Sequence, residues 1–130
     1  MIENRDCLIL YTTAVCNLNC KYCFIDKNPS LKTIDEYLDE SFMDTPDYYF
    51  NFAKKMVLQD KLKSMQFWGG EPFLAMHRAY YTVEKCIEYY PNLQEFMAST
   101  NFVSKEFFNE FYGFLKVLSK FPNRNFTYNL

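Results

Sequence analysis

Short strand-like runs alternate with stretches of helical period along almost the whole chain, and this alternation constrains the fold more than any single residue. Leu8-Ile9-Leu10-Tyr11, followed by Thr12 and Thr13, reads as a buried strand. Thr45-Pro46-Asp47 reads as the N-cap, first-turn proline and first-turn acid of a helix over about 46–63, with Tyr49, Phe52, Ala53 and Met56 as its apolar face. Met65-Gln66-Phe67-Trp68 is a second strand, stopped by Gly69-Gly70-Glu71-Pro72. A second helix is expected over about 73–90, ended by Pro91. Glu95-Phe96-Met97-Ala98-Ser99-Thr100 is a third strand. Ser104 is placed to cap a third helix with the face Phe107, Phe111, Phe114 and Leu118, and Pro122 closes it. Phe126-Thr127-Tyr128-Asn129-Leu130 begins a fourth strand. Residues 25–46 are mostly polar and read as an excursion, with Thr33-Ile34-Asp35-Glu36 fitting the capping box of a short helix.

The predicted order is therefore βαβαβαβ, which indicates an α/β fold with a parallel sheet and right-handed crossovers. An open doubly wound sheet and part of a (β/α) barrel both fit. A complete eight-stranded barrel needs about 200 residues or more, and the chain has 130. Composition agrees with a globular chain: 49% of residues are hydrophobic, 23% charged and 20% aromatic. A net charge of −2 gives no basis for broad electrostatic binding to nucleic acid or anionic lipid. No apolar run approaches the roughly 18 residues of a membrane span, and the polar N-terminus from Met1 to Asp6 does not read as a secretory signal. The expected compartment is the cytoplasm.

Three polar or reactive segments occupy equivalent places in this pattern. A cysteine-rich loop follows the first strand, Gly69-Gly70-Glu71-Pro72 follows the second, and Ser99-Thr100-Asn101 closes the third. All strand C-termini of a parallel sheet lie on one side, where such folds build their sites. The three segments are therefore expected to converge.

There are five cysteines, Cys7, Cys16, Cys20, Cys23 and Cys86. An odd number does not make a complete disulfide framework, and clustered cysteines in a cytosolic chain point to metal or redox chemistry. Cys16-Asn17-Leu18-Asn19-Cys20-Lys21-Tyr22-Cys23 lets a short loop wrap three thiolates around one inorganic centre. Structural zinc wants four protein ligands; only three are local, and His77 is more simply a packed or solvated residue than a fourth. A four-iron cluster held by three thiolates leaves one iron open to a small molecule, whereas electron-transfer ferredoxins fill all four positions with cysteine.

Thr13-Ala14-Val15-Cys16-Asn17-Leu18-Asn19-Cys20-Lys21-Tyr22-Cys23-Phe24 resembles the signature loop of the radical S-adenosylmethionine (SAM) superfamily. Gly69-Gly70-Glu71-Pro72 resembles that family's second hallmark, in the right order and on the right strand end. The wording of both is most similar to the peptide- and protein-modifying maturases. The resemblance implies a partial (β/α) barrel and a [4Fe–4S] cluster on Cys16, Cys20 and Cys23. Its open iron would take the amino and carboxylate groups of SAM. Tyr22 would lie near the adenine, Gly69, Gly70 and Glu71 would receive the methionine ammonium, and Thr100 and Asn101 would offer a contact from the third strand. Glycines let a ligand approach the backbone, and a carboxylate favours a neighbouring ammonium. The implied reaction is reductive cleavage of SAM to a 5′-deoxyadenosyl radical that abstracts hydrogen from a substrate. The implied partners are an electron donor such as a reduced flavodoxin or ferredoxin and a peptide or protein substrate.

The resemblance covers about 8–130, but only the N-terminal portion of a family core, so the whole chain, 1–130, is expected to be one truncated domain of about four parallel strands and three crossover helices. A sheet ending at its fourth strand has an unpaired edge, so the expectation is a truncated gene product, a fragment, or one half of a split enzyme with a complementing C-terminal half. Catalytic residues acting on the substrate are not readable. Three function classes stay open: a radical SAM enzyme or its N-terminal portion, a non-catalytic iron–sulfur or SAM-binding module, and a zinc-stabilised interaction module. Phe67, Trp68 and the helix Phe/Tyr stripes are expected in the core, their excess marking a surface for a missing half. Cys7 and Cys86 are expected to be buried small apolar side chains. Glu36, Asp39, Glu40 and Asp44 are expected on a solvated face.

Overall fold

The computed structural model describes residues 5–13, 41–69, 71–100 and 106–129. Within them lie four strands, β1 (Cys7–Thr13), β2 (Ser64–Gly69), β3 (Glu95–Ala98) and β4 (Thr127–Asn129). Three α-helices stand between them, α1 (Tyr48–Met56), α2 (Tyr80–Tyr89) and α3 (Phe107–Ser119). The strands form one sheet in the order β1-β2-β3-β4, and every neighbouring pair is parallel. Sequential order without reversal means that the sheet has no switch point of the doubly wound kind. It is wound in one direction, as in part of a (β/α) barrel.

The packing says the same. Leu8, Leu10, Met65, Phe67, Phe96 and Ala98 all point to one face and join a single buried cluster. Ala53 and Val57 reach that cluster from α1 and its C-cap, Val83, Cys86 and Ile87 from α2, and Phe107, Phe114, Val117 and Leu118 from α3. All three helices therefore cover the same face. Phe67 sits among rings, with Phe114 edge-on at 5.8 Å and Phe96 stacked at 6.5 Å. Registry places Ile9, Gln66, Met97 and Asn129 in one row on the opposite face, and Tyr11 beside Trp68. That face is open: Ile9, Tyr11 and Trp68 are 45%, 52% and 44% exposed. Phe67 is core as expected; Trp68 is not, because its side chain points to the face opposite Phe67, which none of the three described helices covers.

The helices differ from the sequence reading at their ends. α1 stops at Met56, and Val57 is extended. Beyond Met56 the next positions on the same helical face are Gln59, Asp60 and Lys63, which bury nothing, while leaving the helix lets Val57 and Leu62 reach the core. Phe52 is 48% exposed, and Phe50 packs on the core instead. The Thr45 hydroxyl donates back to the Ser41 carbonyl at 2.8 Å and does not cap; Asp47 is the N-cap. Between β2 and α2 the chain makes two 3-10 turns, Pro72–Leu74 and Met76–Ala79, because Ala75 leaves helical geometry with φ −148° and ψ 35°. α3 presents Phe107, Phe114 and Leu118 to the core with Phe111 packed beside them, as its periodicity requires. Its Gly113 leaves room for the Tyr80 ring, whose hydroxyl donates to the Glu110 carbonyl. The capping residue Ser104, the Thr33–Glu36 box and Glu36, Asp39 and Glu40 lie outside the described residues; Asp44 is exposed. Cys86 is fully buried, whereas Cys7, at the start of β1, is only half-buried.

At the N-terminal end of the sheet, Arg124 ties α2 to β3. Its guanidinium donates to the carbonyls of Ile87 at 2.9 Å, Tyr90 at 3.0 Å and Leu93 at 2.6 Å. These are carbonyls at and just past the end of α2, which the helix cannot satisfy itself. Partial burial lowers the Arg124 pKa, and the group stays cationic.

Candidate functional site at the C-terminal edge of the sheet

The C-termini of β1, β2 and β3 meet as the topology demands. Thr13 pairs with Gly69 across β1 and β2. The approach is so close that a Cβ on Gly69 would overlap the Thr13 carbonyl oxygen. Gly69 also has φ +144°, outside the range open to L side chains. Only glycine fits there.

Past that point the chain turns through Glu71 into Pro72. Glu71 is 1% exposed, and its carboxylate accepts a hydrogen bond from the Thr100 hydroxyl at the end of β3. A buried carboxylate is costly unless donors or cations surround it. Among the described residues the buried polar or charged side chains are Thr12, Thr13, Glu71 and Thr82. Three of these four lie at this edge.

β1 itself is irregular here. Tyr11 pairs with Trp68 and Thr13 with Gly69, so Thr12 is an extra residue, a β-bulge. Its side-chain hydroxyl donates to the Pro72 carbonyl at 2.9 Å. Its own carbonyl accepts from Arg78 Nη1 at 2.8 Å. Sequence reasoning found Gly69, Glu71 and Thr100 but missed Thr12 and Arg78. No glycine marks the bulge, and Arg78 stands in a stretch that reads as an ordinary helix.

Of the residues expected to form the site, Gly69, Glu71 and Thr100 are brought together. Cys16, Cys20, Cys23, Tyr22, Gly70 and Asn101 lie outside the described residues. Among the described residues no group of three His, Cys, Asp or Glu side chains is placed to hold a metal ion. His77 instead bonds Glu110 on α3 through Nδ1 at 2.7 Å. The donor chemistry at the edge suits a cationic amine: one buried carboxylate beside a glycine with no side chain to exclude a ligand. The three cysteines, the first of them three residues after Thr13, supply soft thiolate donors, which suit an iron–sulfur cluster or zinc.

On the open face, Trp68 Nε1 donates to Gln66 Oε1 at 3.0 Å, and Tyr11 meets Trp68 edge-on at 6.2 Å. Gln66, Trp68, Met97, Ala98, Ser99 and Asn129 line a shallow groove of about 310 Å³ there. No helix among the described residues is long and apolar enough to cross a membrane.

A family profile described as a 4Fe-4S single cluster domain matches residues 6–121. The chain is 33% identical over 97 residues to the radical SAM cyclopropyl synthase TigE of Paramaledivibacter caminithermalis, an alignment covering 69% of this chain and 20% of that protein. It is 34% identical over 92 residues to an uncharacterized protein of Methanocaldococcus jannaschii, covering 71% of this chain and 28% of that one. The chain thus spans less than a third of the length of these relatives. No solved structure matches it.

Proposed function

This chain belongs to the family of single-cluster 4Fe–4S domains and is a relative of radical SAM enzymes, and we propose that it binds SAM at a [4Fe–4S] cluster for reductive cleavage. The observation that carries the reading is the family match over residues 6–121, which contains both the three-cysteine loop and Gly69-Gly70-Glu71-Pro72. In this reading Cys16, Cys20 and Cys23 ligate three irons as thiolates. Three thiolates would leave one iron of such a cluster without a protein ligand and open to SAM. Bound together, cluster and SAM supply one-electron cleavage of a sulfonium C–S bond and a 5′-deoxyadenosyl radical.

The remaining roles belong to the chain. Gly69 and Gly70 let the methionine moiety approach the backbone. Glu71 balances the charge of its ammonium, and burial makes that balance stronger than it would be in water. The Thr100 hydroxyl holds the Glu71 carboxylate in place, and Asn101 adds a polar contact beside it. Tyr22 stands by the adenine. The open face, with Tyr11, Gln66 and Trp68, receives the substrate, for which a peptide or protein is proposed. A reduced flavodoxin or ferredoxin supplies the electron, and a complementing C-terminal half is proposed as a further partner.

The test is anaerobic reconstitution with iron and sulfide, followed by electron paramagnetic resonance of the reduced protein with and without SAM. A [4Fe–4S] signal that shifts on adding SAM is expected. A signal indifferent to SAM would reduce the chain to an iron–sulfur module, and zinc in place of iron would refute the proposal. Formation of 5′-deoxyadenosine by the chain alone would show that no complementing half is needed for cleavage.

A further inference from the structure

β1 is an edge strand: among the described residues it pairs with β2 alone. The Asp6 carbonyl accepts from the amides of Lys63 at 2.9 Å and Ser64 at 3.2 Å, on the β2 side. In an extended strand the N–H and C=O of one residue point to the same side, and the side alternates from residue to residue. Leu8 and Leu10 therefore turn their backbone to β2, and Cys7, Ile9 and Tyr11 turn theirs to the free edge. Natural edges are guarded by charge, by proline or by being short. Cys7-Leu8-Ile9-Leu10-Tyr11 has no charged residue and no proline, and the bulge at Thr12 comes only after it. β4, the other edge, is three residues long. A groove of about 260 Å³ lies against β1, with Tyr48, Tyr49 and Phe52 of α1 as its opposite wall. Ile9, Tyr11, Tyr48 and Phe52 are between 45% and 54% exposed. Half-exposed apolar side chains gathered along one strip mark an interaction surface.

We propose that the free edge of β1 takes an extended, apolar peptide segment of another protein as an added strand along Cys7–Tyr11, with its alternate side chains in the groove beside α1. The occupant follows from charge complementarity. N–H groups of partial positive charge and C=O groups of partial negative charge line this edge at every second residue. The edge of another extended chain is their complement, whereas a helix uses its own backbone groups internally. Main-chain bonds give such a contact its affinity, and the groove selects the side chains. The groove is apolar, so the segment carries aliphatic or aromatic residues at every second position. A single strand brings no helix layer of its own into the space beside α1, as a second copy of this chain would. Tyr11, at the end of the run, meets Trp68 at 6.2 Å, so the docked segment leads to the open face. That the segment belongs to the peptide or protein substrate rests on the function proposed above; that the edge takes a strand does not.

The experiment measures hydrogen exchange at single amides of the full chain, with and without a capped probe peptide in which valine and threonine alternate between terminal lysines. The amides of Cys7, Ile9 and Tyr11 are expected to slow when the probe is added, while those of β4 stay as they were. Two further probes are N-methylated at one or the other alternating set of amides. One is expected to bind like the parent and the other to lose binding, because only one set faces β1. Ile9→Pro removes an outward donor without touching a ladder bond, and is expected to weaken the probe about tenfold. Should Ile9→Pro fail to fold, Phe52→Ala opens the groove wall and is expected to weaken the probe by a similar factor. Unslowed exchange at the three amides with probe in excess, or equal binding of the two methylated probes, overturns the proposal. Two other occupants would overturn it as well. Amides already slow in the monomeric chain without probe would assign the edge to another segment of this chain. Amides that slow with chain concentration, together with a dimer in sedimentation, would assign it to a second copy. A chain that takes up no cluster refutes the proposed function instead, and the exchange measurement still judges the edge.

Discussion

The two ends of the sheet use arginine in the same chemical way for different purposes. At the N-terminal end, Arg124 gathers three carbonyls of the α2–β3 connection, beside the buried Tyr90, whose hydroxyl donates to the Val57 carbonyl. At the C-terminal end, Arg78 donates to the Thr12 carbonyl, beside buried threonines and a buried carboxylate. In parallel α/β folds the C-terminal end carries chemistry and the other end carries stability. The contrast teaches that a buried polar bond is not itself a sign of a site. What marks the C-terminal edge is the company: a bulge, a glycine with positive φ and a carboxylate held from a neighbouring strand.

Substitutions at the two ends separate these roles. Gly69→Ala is expected to have the largest effect, about 2–4 kcal/mol in urea unfolding, because strain at positive φ adds to a backbone overlap. Arg124→Ala comes next, with a loss of about 2–3 kcal/mol from carbonyls left without their charged donor, and with iron content and SAM response unchanged. If Arg124→Ala abolished the SAM response in a chain still folded, the division between the ends would fail. Thr12→Val, which leaves the Pro72 carbonyl without its donor, costs about 1 kcal/mol by thermal melting.

Cys86 sharpens the contrast between thiols. Burial pushes its pKa up from 9.0 to about 12. The neutral thiol is therefore favoured in the folded chain. This contribution to stability is whole below pH 9.0 and is lost as pH rises towards about 12. At pH 8 iodoacetamide should spare Cys86 in the native chain and modify it after unfolding. Modification of Cys86 at the same rate in both states would place it at the surface. Trp68→Ala has the smallest expected effect on stability, under about 1 kcal/mol, since the ring is on the open face; a peptide substrate's binding is where its loss should register.

Much of this was legible in the sequence. The βαβαβαβ order comes from Leu8–Leu10, Met65–Phe67 and the Phe107, Phe114 and Leu118 stripe, whose periods fix both type and face. That Glu71 and Thr100 would lie together came from topology alone; the cysteine loop expected to join them lies outside the described residues. The parts that were not legible are those that tertiary contact decides. Phe52 and Trp68 are as apolar as Phe50, which packs on the core, and the buried Phe67; which face of α1 and which face of the sheet is covered separates them. The second helix begins late because Ala75 departs from helical geometry, although alanine is the best of helix formers. Arg78 and the Thr12 carbonyl left no signal at all, since a backbone acceptor has no letter in the sequence.

In the proposed function three cysteines ligate three of the four irons of a cluster and leave the fourth open. Mössbauer spectroscopy of the chain reconstituted with iron-57, before and after SAM, tests it most directly. One iron in four should separate from the other three when SAM is added, and Cys20→Ala should lose the cluster. Four irons that stay alike with SAM present, or a full cluster in Cys20→Ala, would contradict it.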